Sequence, residues 1–138
     1  MDTVFITSDP IYSEDLLMEM EKHDCCGARL LFLGTVRKEN ETRPVDALFY
    51  ECYEEMAKKE FFKIIDEAKK LGEVHEIGIA HRIGRLLAGE VSLIVAVFAP
   101  HRKAAFLAEE YVIDQLKKRV PIFKKEIYAA GESEWLEK

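Results

Sequence analysis

The sequence predicts a two-layer α/β (α+β) domain with a mixed, partly antiparallel sheet. Helical and strand patterns alternate along the 138 residues, and no low-complexity stretch or long linker divides them. We therefore expect a single domain over residues 1–138. The strand patterns at 74–83 and 91–98 follow each other without a helix between them, which favours antiparallel pairing over repeated βαβ units.

The first predicted elements are a short strand and a helix. Residues 4–7 are apolar and β-branched, and a Ser-Asp-Pro turn ends them. Ser13 is the expected N-cap of the helix that follows. Glu14 and Asp15 fall in its first turn, where the helix dipole favours negative charge.

A second strand and a polar loop come next. Residues 28–36 are mostly apolar, which is typical of a buried strand. Gly34 interrupts this run and predicts a bulge or a close backbone approach. The polar residues 37–44 predict a loop, and residues 45–53 predict a further strand in which Cys52 packs as a small hydrophobe.

The clearest helix of the sequence follows. Its apolar residues recur with the spacing of one helical face, at Ala57, Phe61, Ile64, Ile65 and Ala68. Gly72 is the expected residue just beyond its C-terminus.

The second half predicts strands, a long helix and a last strand. Residues 84–90 connect the strands 74–83 and 91–98 and are expected to be partly extended. The long helix covers residues 101–119, with an apolar line at Ala104, Ala108, Val112 and Leu116. Pro121 ends it, because proline cannot donate to the carbonyl of Lys117 and disfavours helical angles at Val120. Residues 122–129 predict a strand, and the tail from Gly131 carries the only tryptophan, Trp135.

The charge distribution is more informative than the net charge of −6. Residues 101–125 carry seven basic and three acidic side chains, a local charge of +4, which leaves −10 for the other 113 residues. An acidic chain with one basic cluster indicates a small anionic ligand or a partner's tail, and it argues against nucleic acid. The alternative is a solvated helix face whose basic last turn complements the helix dipole.

Two lysines of this cluster favour a site. Lys117 extends the apolar line of Phe106 and Ile113, so we expect it to be partly desolvated. Lys117 and Lys124 also lie on either side of the corner at Pro121, which can direct both ammonium groups toward one pocket. Desolvation and a like-charged neighbour both lower the pKa of a lysine. The alternative is two surface lysines, one of which extends over the edge of the core.

Three further residues are candidates for anion binding. His101 and Arg102 open the long helix, where free backbone N–H groups and charged donors bind anions. Arg37 follows a buried strand and can hold a phosphate through two N–H groups, although an ordinary loop arginine is the alternative. A second His-Arg pair, His81-Arg82, lies in a strand pattern and is interpreted as structural.

The sequence favours neither a metal site nor a covalent cysteine. Cys25, Cys26 and Cys52 match no zinc or disulfide spacing, and His23 and His75 have no partner at ligand spacing. The longest apolar run has seven residues, too short to span a membrane, and the N-terminus lacks the features of a signal peptide. We therefore expect a cytoplasmic chain without a cofactor.

The sequence resembles a known family, the large catalytic subunits of molybdopterin synthase. The motifs that carry the resemblance occur in order along nearly the whole chain, at 27–37 with Asn40, 48–57, 79–84, 99–106, 116–126 and 131–135. The resemblance implies an α/β hammerhead-type fold and a sulfurtransferase that converts cyclic pyranopterin monophosphate into molybdopterin. The sulfur donor that it implies is the thiocarboxylate on a small ubiquitin-like partner ending in Gly-Gly. It also implies a homodimer of large subunits within a heterotetramer.

The resemblance also assigns residues. The catalytic residues that it implies are Lys117, Lys124 and Arg37. The substrate-binding residues that it implies are Thr35, Val36, Arg37, His101, Arg102, Lys117, Lys124, Lys125 and Glu126. Under this assignment Arg37, His101 and Arg102 hold the phosphate. Lys117 assists sulfur attack as proton donor or transient acyl acceptor, and Lys124 positions the pterin or stabilises the developing anion.

Two other functions compete with this hypothesis. The first is a non-catalytic module that docks the C-terminal tail of a ubiquitin-like partner in the basic pocket. The second is an anion-binding regulatory domain without a protein partner. A docking module would tolerate arginine in place of Lys117, whereas a proton donor would not.

Overall fold

The chain folds as strands and helices in the alternating order that the sequence predicts. The computed structural model describes residues 2–40, 43–128 and 133–136. Within these ranges the helices are α1 (Ser13–Glu19), α2 (Glu54–Ala68) and α3 (Arg102–Arg119). The strands are β1 (Thr3–Thr7), β2 (Ala28–Thr35), β3 (Glu39–Asn40), β4 (Arg43–Cys52), β5 (Glu76–Arg82), β6 (Gly84–Leu87), β7 (Val91–Ala99), β8 (Ile122–Tyr128) and β9 (Ser133–Leu136). Residue 129 of the predicted last strand and Gly131 lie outside the described residues.

The first sheet has the strand order β1-β5-β7-β2. β1 runs parallel to β5, and the other pairs are antiparallel, so the predicted mixed sheet is confirmed. β5 and β7 pair directly, from Glu76 opposite Phe98 to His81 opposite Leu93. Both strands lie at the centre of the sheet and are buried almost throughout. Central strands covered on both faces have this continuous burial.

Helices α2 and α3 cover one face of this sheet, and α1 packs on the other. All five apolar positions predicted for α2 are fully buried, which confirms the helix and its face. Burial of a side chain such as Phe61 contributes about 2–3 kcal/mol relative to exposure. In α3 the buried line contains Ala105 in place of the predicted Ala104, which is half-buried.

The second sheet is organised around β4, which pairs with β3, β6 and β8, while β9 pairs with β8. The predicted loop over 37–44 is wrong in part, because the backbone of β3 pairs with the start of β4 in a short hairpin. Strands of two residues are too short to give a periodic pattern. The partly extended connection predicted over 84–90 is confirmed, since it contains β6.

Two predicted helix ends are wrong. Tyr12 occupies the N-cap position of α1, and Ser13 is already helical and makes no cap. α2 ends at Ala68 with Lys69 as a helical C-cap, so Gly72 does not terminate it. A Cβ atom on Gly72 would lie 3.0 Å from the Cβ of Ala104, so a larger residue there would crowd the approach of α3. No described helix is long and apolar enough to cross a membrane.

Glu109 of α3 carries a buried carboxyl group without a partner among the described residues. Its side chain is buried, and neither carboxyl oxygen has a hydrogen-bond partner in the structure. Burial raises the pKa of Glu109 to about 8. The folded chain therefore holds a proton on Glu109 at neutral pH, whereas the unfolded chain releases it near the ordinary carboxyl pKa.

We expect Glu109 to make stability fall as pH rises. Between the unfolded pKa and about 8 the folded state binds more protons than the unfolded state, so the free energy of unfolding decreases over this interval. Glu109→Gln removes this loss and raises the free energy of unfolding by several kcal/mol at alkaline pH, because the amide has no charged form to bury and a pKa of about 8 makes the loss about 1.4 kcal/mol for each pH unit of the interval. At pH 5 the substitution has little effect, because Glu109 is then protonated in the folded chain.

Urea unfolding of the wild type and of Glu109→Gln at several pH values measures the difference in the free energy of unfolding. The exposed neighbour provides the control, Glu110→Gln, and parallel wild-type and Glu109→Gln profiles would contradict the expectation.

Candidate active site

A cavity of about 520 Å³ lies where the two sheets meet the C-terminal end of α3. Residues from both sheets, from α3 and from the adjoining loops line it. They are Phe32, Gly34, Thr35, Arg37, Tyr50, His81, Ser92, Leu93, Leu116, Lys117, Val120, Ile122 and Lys124. The described lining residues include three cations and neither a carboxylate nor a cysteine. The cavity is therefore suited to an anion.

The end of β2 places Thr35 and Arg37 on the cavity. The register of β2 against β7 shifts between Gly34 and Thr35, which confirms the predicted bulge. The Ser92 hydroxyl donates a hydrogen bond of 3.2 Å to the Gly34 carbonyl and fixes this bulge. Val36, a predicted substrate contact, does not line the cavity, because its side chain is buried in a small core of the second sheet.

The corner after α3 brings Lys117 and Lys124 to the same cavity, as the position of Pro121 predicts. Lys117 lies in the last turn of α3. Val120 leaves the helix with φ −78° and ψ 132°, and β8 begins at Ile122. Two lysines seven residues apart in sequence therefore approach from a helix and from a strand.

Lys124 is the more perturbed of these two lysines. Burial lowers its pKa, and the charges of Lys117 and Arg37 lower it further, while the Glu126 carboxylate acts in the opposite direction. The predicted desolvation thus falls on half-buried Lys124, whereas the side chain of Lys117 is exposed at the mouth of the site. The two lysines differ because Lys117 lies in the last turn of α3, at the edge of the core, whereas Lys124 lies within β8, where the core covers it.

Successive side chains of β8 point to opposite faces of the sheet, and this separates the two remaining candidates, Lys125 and Glu126. Lys125 points to the face opposite Lys124, where its ammonium lies 5.7 Å from the centre of the Phe49 ring and 5.0 Å from that of Trp135. Glu126 shares the face of Lys124 but is fully buried and does not line the cavity. It acts on the site through its charge.

His101 and Arg102 lie at the opposite end of α3. They line a separate surface concavity with Gly27, Pro100 and Lys103. Arg102 precedes Lys117 by fifteen residues, so helix geometry separates their backbones by roughly 22 Å. One chain therefore does not bring His101 and Arg102 to the cavity that Arg37 lines.

His81 is a lining residue for which the sequence favoured a structural role. β5 lies between β1 and β7, and His81 is buried near the end of β5. The ring is 2.8 Å, at Nδ1, from the Arg82 carbonyl oxygen. A carbonyl only accepts, so Nδ1 carries the proton. Burial lowers the pKa of His81 to about 4, and the ring is therefore neutral. Its edge-to-face contact with Tyr50 has a centroid distance of 5.3 Å.

Histidines and cysteines also meet away from the cavity, which the sequence did not predict. His23 Nε2 lies 2.8 Å from Oε1 of buried Glu76, and the carboxylate of Glu21 is near enough to complete a possible ligand group. The sulfur of Cys25 lies 3.7 Å from the ring nitrogens of His75. Local spacing could not show these contacts, because the loop after α1 and the start of β5 are about 50 residues apart.

Comparisons with known proteins agree on one family. Residues 6–119 match the family model described as MoaE protein. The chain is 40% identical over 132 residues to the molybdopterin synthase catalytic subunit of Thermoplasma volcanium, covering 96% of each chain. It superposes on the crystal structure of molybdopterin synthase from Staphylococcus aureus with a TM-score of 0.87 and 36% identity, over 96% of this chain and 95% of that one. A protein–protein complex of subunits 1 and 2 of molybdopterin-converting factor from Helicobacter pylori is also similar, with a TM-score of 0.75, 26% identity and coverage of 99% and 90%.

The electrostatic coupling within the cavity is testable. Lys117→Met removes a neighbouring positive charge, so we expect the pKa of Lys124 to rise toward its ordinary value. The exposed residue next in sequence supplies the control, Lys118→Met, which should leave the pKa of Lys124 unchanged. Titration of the lysine side-chain NMR resonances measures both. An equal response to the two substitutions would show that general charge, and not the proximity of Lys117, sets this pKa.

Proposed function

The chain belongs to the MoaE family, and we propose that it is the catalytic subunit of a molybdopterin synthase. In this proposal it is a sulfurtransferase that converts cyclic pyranopterin monophosphate into molybdopterin. The two dithiolene sulfurs come from two thiocarboxylated copies of a small ubiquitin-like subunit, because each C-terminal glycine thiocarboxylate carries one sulfur. The observation that carries the proposal is the convergence of Arg37, Lys117 and Lys124 on one cavity.

The charges of the cavity suit this reaction. Both the cyclic phosphate and the thiocarboxylate are anions, and three cations in a partly desolvated site attract them more strongly than in water. Arg37 holds the phosphate through paired N–H donors. Lys124 positions the pterin or stabilises the charge that develops when the cyclic phosphate opens.

Lys117 assists the sulfur transfer. In each transfer a bond forms between the thiocarboxylate sulfur and a substrate carbon while that carbon loses a bond to oxygen. The oxygen leaves with the opening phosphate in one transfer and as water in the other. Water then cleaves the acyl–sulfur bond, so that the sulfur stays on the substrate and the small subunit leaves as a carboxylate. Lys117 acts as proton donor or as transient acyl acceptor in this sequence. The sulfur arrives on the partner, which is why no cysteine of this chain is needed. The three cysteines are free thiols, and like a thiocarboxylate they persist in the reducing cytoplasm, where we place the reaction.

A small partner subunit is supported by the similar Helicobacter pylori structure, which is a complex of two subunits. In the proposal the partner's Gly-Gly tail enters the cavity at Lys117, which is exposed in the last turn of α3. Glycines suit a tail that must pass close to the walls, because they carry no side chain. Two copies of this chain form the centre of the heterotetramer.

The dimer also accounts for His101 and Arg102. They lie too far from Lys117 to reach the cavity of their own chain, so their proposed contact with the phosphate requires the cavity of the second copy. Each active site then contains Arg37, Lys117 and Lys124 from one chain and His101 and Arg102 from the other.

Substitution of Lys117 tests the synthase reaction. With thiocarboxylated small subunit and cyclic pyranopterin monophosphate, Lys117→Ala should lower turnover by about 100-fold or more, the scale of a lost proton-transfer group. Lys117→Arg should not restore turnover, since guanidinium does not give up its proton. Molybdopterin is measured as its oxidised fluorescent derivative, with Lys118→Ala as the matched control. A wild-type chain that binds the small subunit without forming product would support the docking module instead.

Mixed dimers test the contribution of the second copy. Chains carrying Lys117→Ala and chains carrying Arg102→Ala are each expected to be inactive. Random pairing makes half of the dimers mixed, and each mixed dimer has one intact site, so the mixture should regain about a quarter of wild-type activity. If Arg102 acted within its own chain, mixing would restore nothing. Full activity of Arg102→Ala alone would remove Arg102 from the site.

A further inference from the structure

The cavity has an uncharged part beside its three cations. Phe32, Tyr50, His81 and Ser92 contribute aromatic rings and neutral polar groups to the lining. The substrate of the proposed function has two matching parts, an anionic phosphate and a flat nitrogen heterocycle. The cations account for the phosphate, and the uncharged part is left for the heterocycle.

Within the uncharged part of the cavity, His81 offers a hydrogen-bond acceptor, Nε2, that is not used by the described residues. Its Nδ1–H donates to the Arg82 carbonyl, which leaves Nε2 unprotonated with a lone pair. Among the described residues the hydrogen bond of His81 is made by Nδ1, and Nε2 is not one of the fully buried atoms without a partner, so Nε2 keeps access to the cavity that His81 lines. The neighbouring hydroxyl groups are less free, because Ser92 already donates to the Gly34 carbonyl and the Tyr50 hydroxyl interacts with Ser92.

The neighbours of His81 hold the ring in one orientation. The Arg82 carbonyl holds the Nδ1 edge of the imidazole, and the Tyr50 ring packs against the imidazole with an angle of 77° between the two ring planes. Backbone pairing on both sides of β5, with Ile6 and with Leu93, fixes the Cα position. An acceptor held in this way loses little entropy when it binds a ligand.

We propose that His81 is a substrate-binding residue whose unprotonated Nε2 accepts a hydrogen bond from an N–H group of the pterin, so that the pterin lies against Phe32, Tyr50 and His81. This inference rests on the proposed function, because it takes the substrate from it. It orients the substrate with the heterocycle on the uncharged wall and the phosphate on Arg37. A charged imidazole would offer no lone pair, and burial keeps this one neutral at physiological pH.

Two near-isosteric substitutions separate binding from structure. Asparagine places its amide at the position of Nδ1, so His81→Asn keeps the donor to the Arg82 carbonyl and loses the acceptor at Nε2. Glutamine reaches the position of Nε2, so His81→Gln keeps the acceptor and loses the donor. If the role of His81 were only structural, Asn would be the milder change. If Nε2 binds substrate, Gln is the milder change.

The measurement is calorimetric titration of cyclic pyranopterin monophosphate into the complex of this chain with the unthiocarboxylated small subunit, which cannot turn over. We expect His81→Asn to raise Kd by about tenfold, the scale of one hydrogen bond, and His81→Gln to stay within about threefold. His75→Gln is the control, because His75 lies outside the cavity. Wild-type affinity in His81→Asn, or equal losses in both variants, would overturn the inference.

A measurement on the wild-type chain covers the case in which the variants do not fold. With ¹⁵N-labelled histidine, saturating substrate should shift the Nε2 resonance of His81 and leave its Nδ1 resonance in place. The other histidines are assigned by His23→Gln, His75→Gln and His101→Gln. An unmoved Nε2 resonance in a chain that forms molybdopterin overturns the inference and leaves the proposed function standing. A chain that neither binds the substrate nor forms product overturns both.

Discussion

The arrangement of the site depends on the absence of one N–H group, that of Pro121. Without this proline α3 could continue, and Lys124 would lie roughly 10 Å beyond Lys117 along the same helix. With it, Val120 turns to extended angles and β8 begins at once. The same corner joins the helical layer to the second sheet, so the position of the lysines and the closure of the cavity share one cause.

Three cations in one cavity repel one another, and the structure compensates only partly. Glu126 is buried behind Lys124 and acts against the fall in its pKa, but it does not reach the lining. A carboxylate within the cavity would neutralise the cations and repel an anionic ligand. The cavity thus retains a positive potential, and the binding of an anion relieves the repulsion among its three cations.

Features set by short-range pattern could be predicted, and those set by strand neighbours could not. The face of α2, the bulge at Gly34 and the corner at Pro121 follow from local spacing and backbone chemistry. The positions of Tyr50 and His81 depend on which strands meet at the cavity, which one sequence does not reveal. The exclusion of Lys125 from the cavity, in contrast, could have been predicted, because neighbouring residues of a strand point to opposite faces and Lys124 faces the cavity.

The sequence-based hypothesis placed His101 and Arg102 in one site with Arg37, Lys117 and Lys124, and the fold divides these residues between the two ends of α3. That division has a physical logic if the sulfur comes from outside. A chain that supplies no sulfur of its own contributes largely by placing charge, and the cavity of one chain can accommodate only as much positive charge as its burial permits. In the proposed dimer, the cations of the second copy add to the site only on assembly, so each chain would fold without the repulsion that the complete site contains.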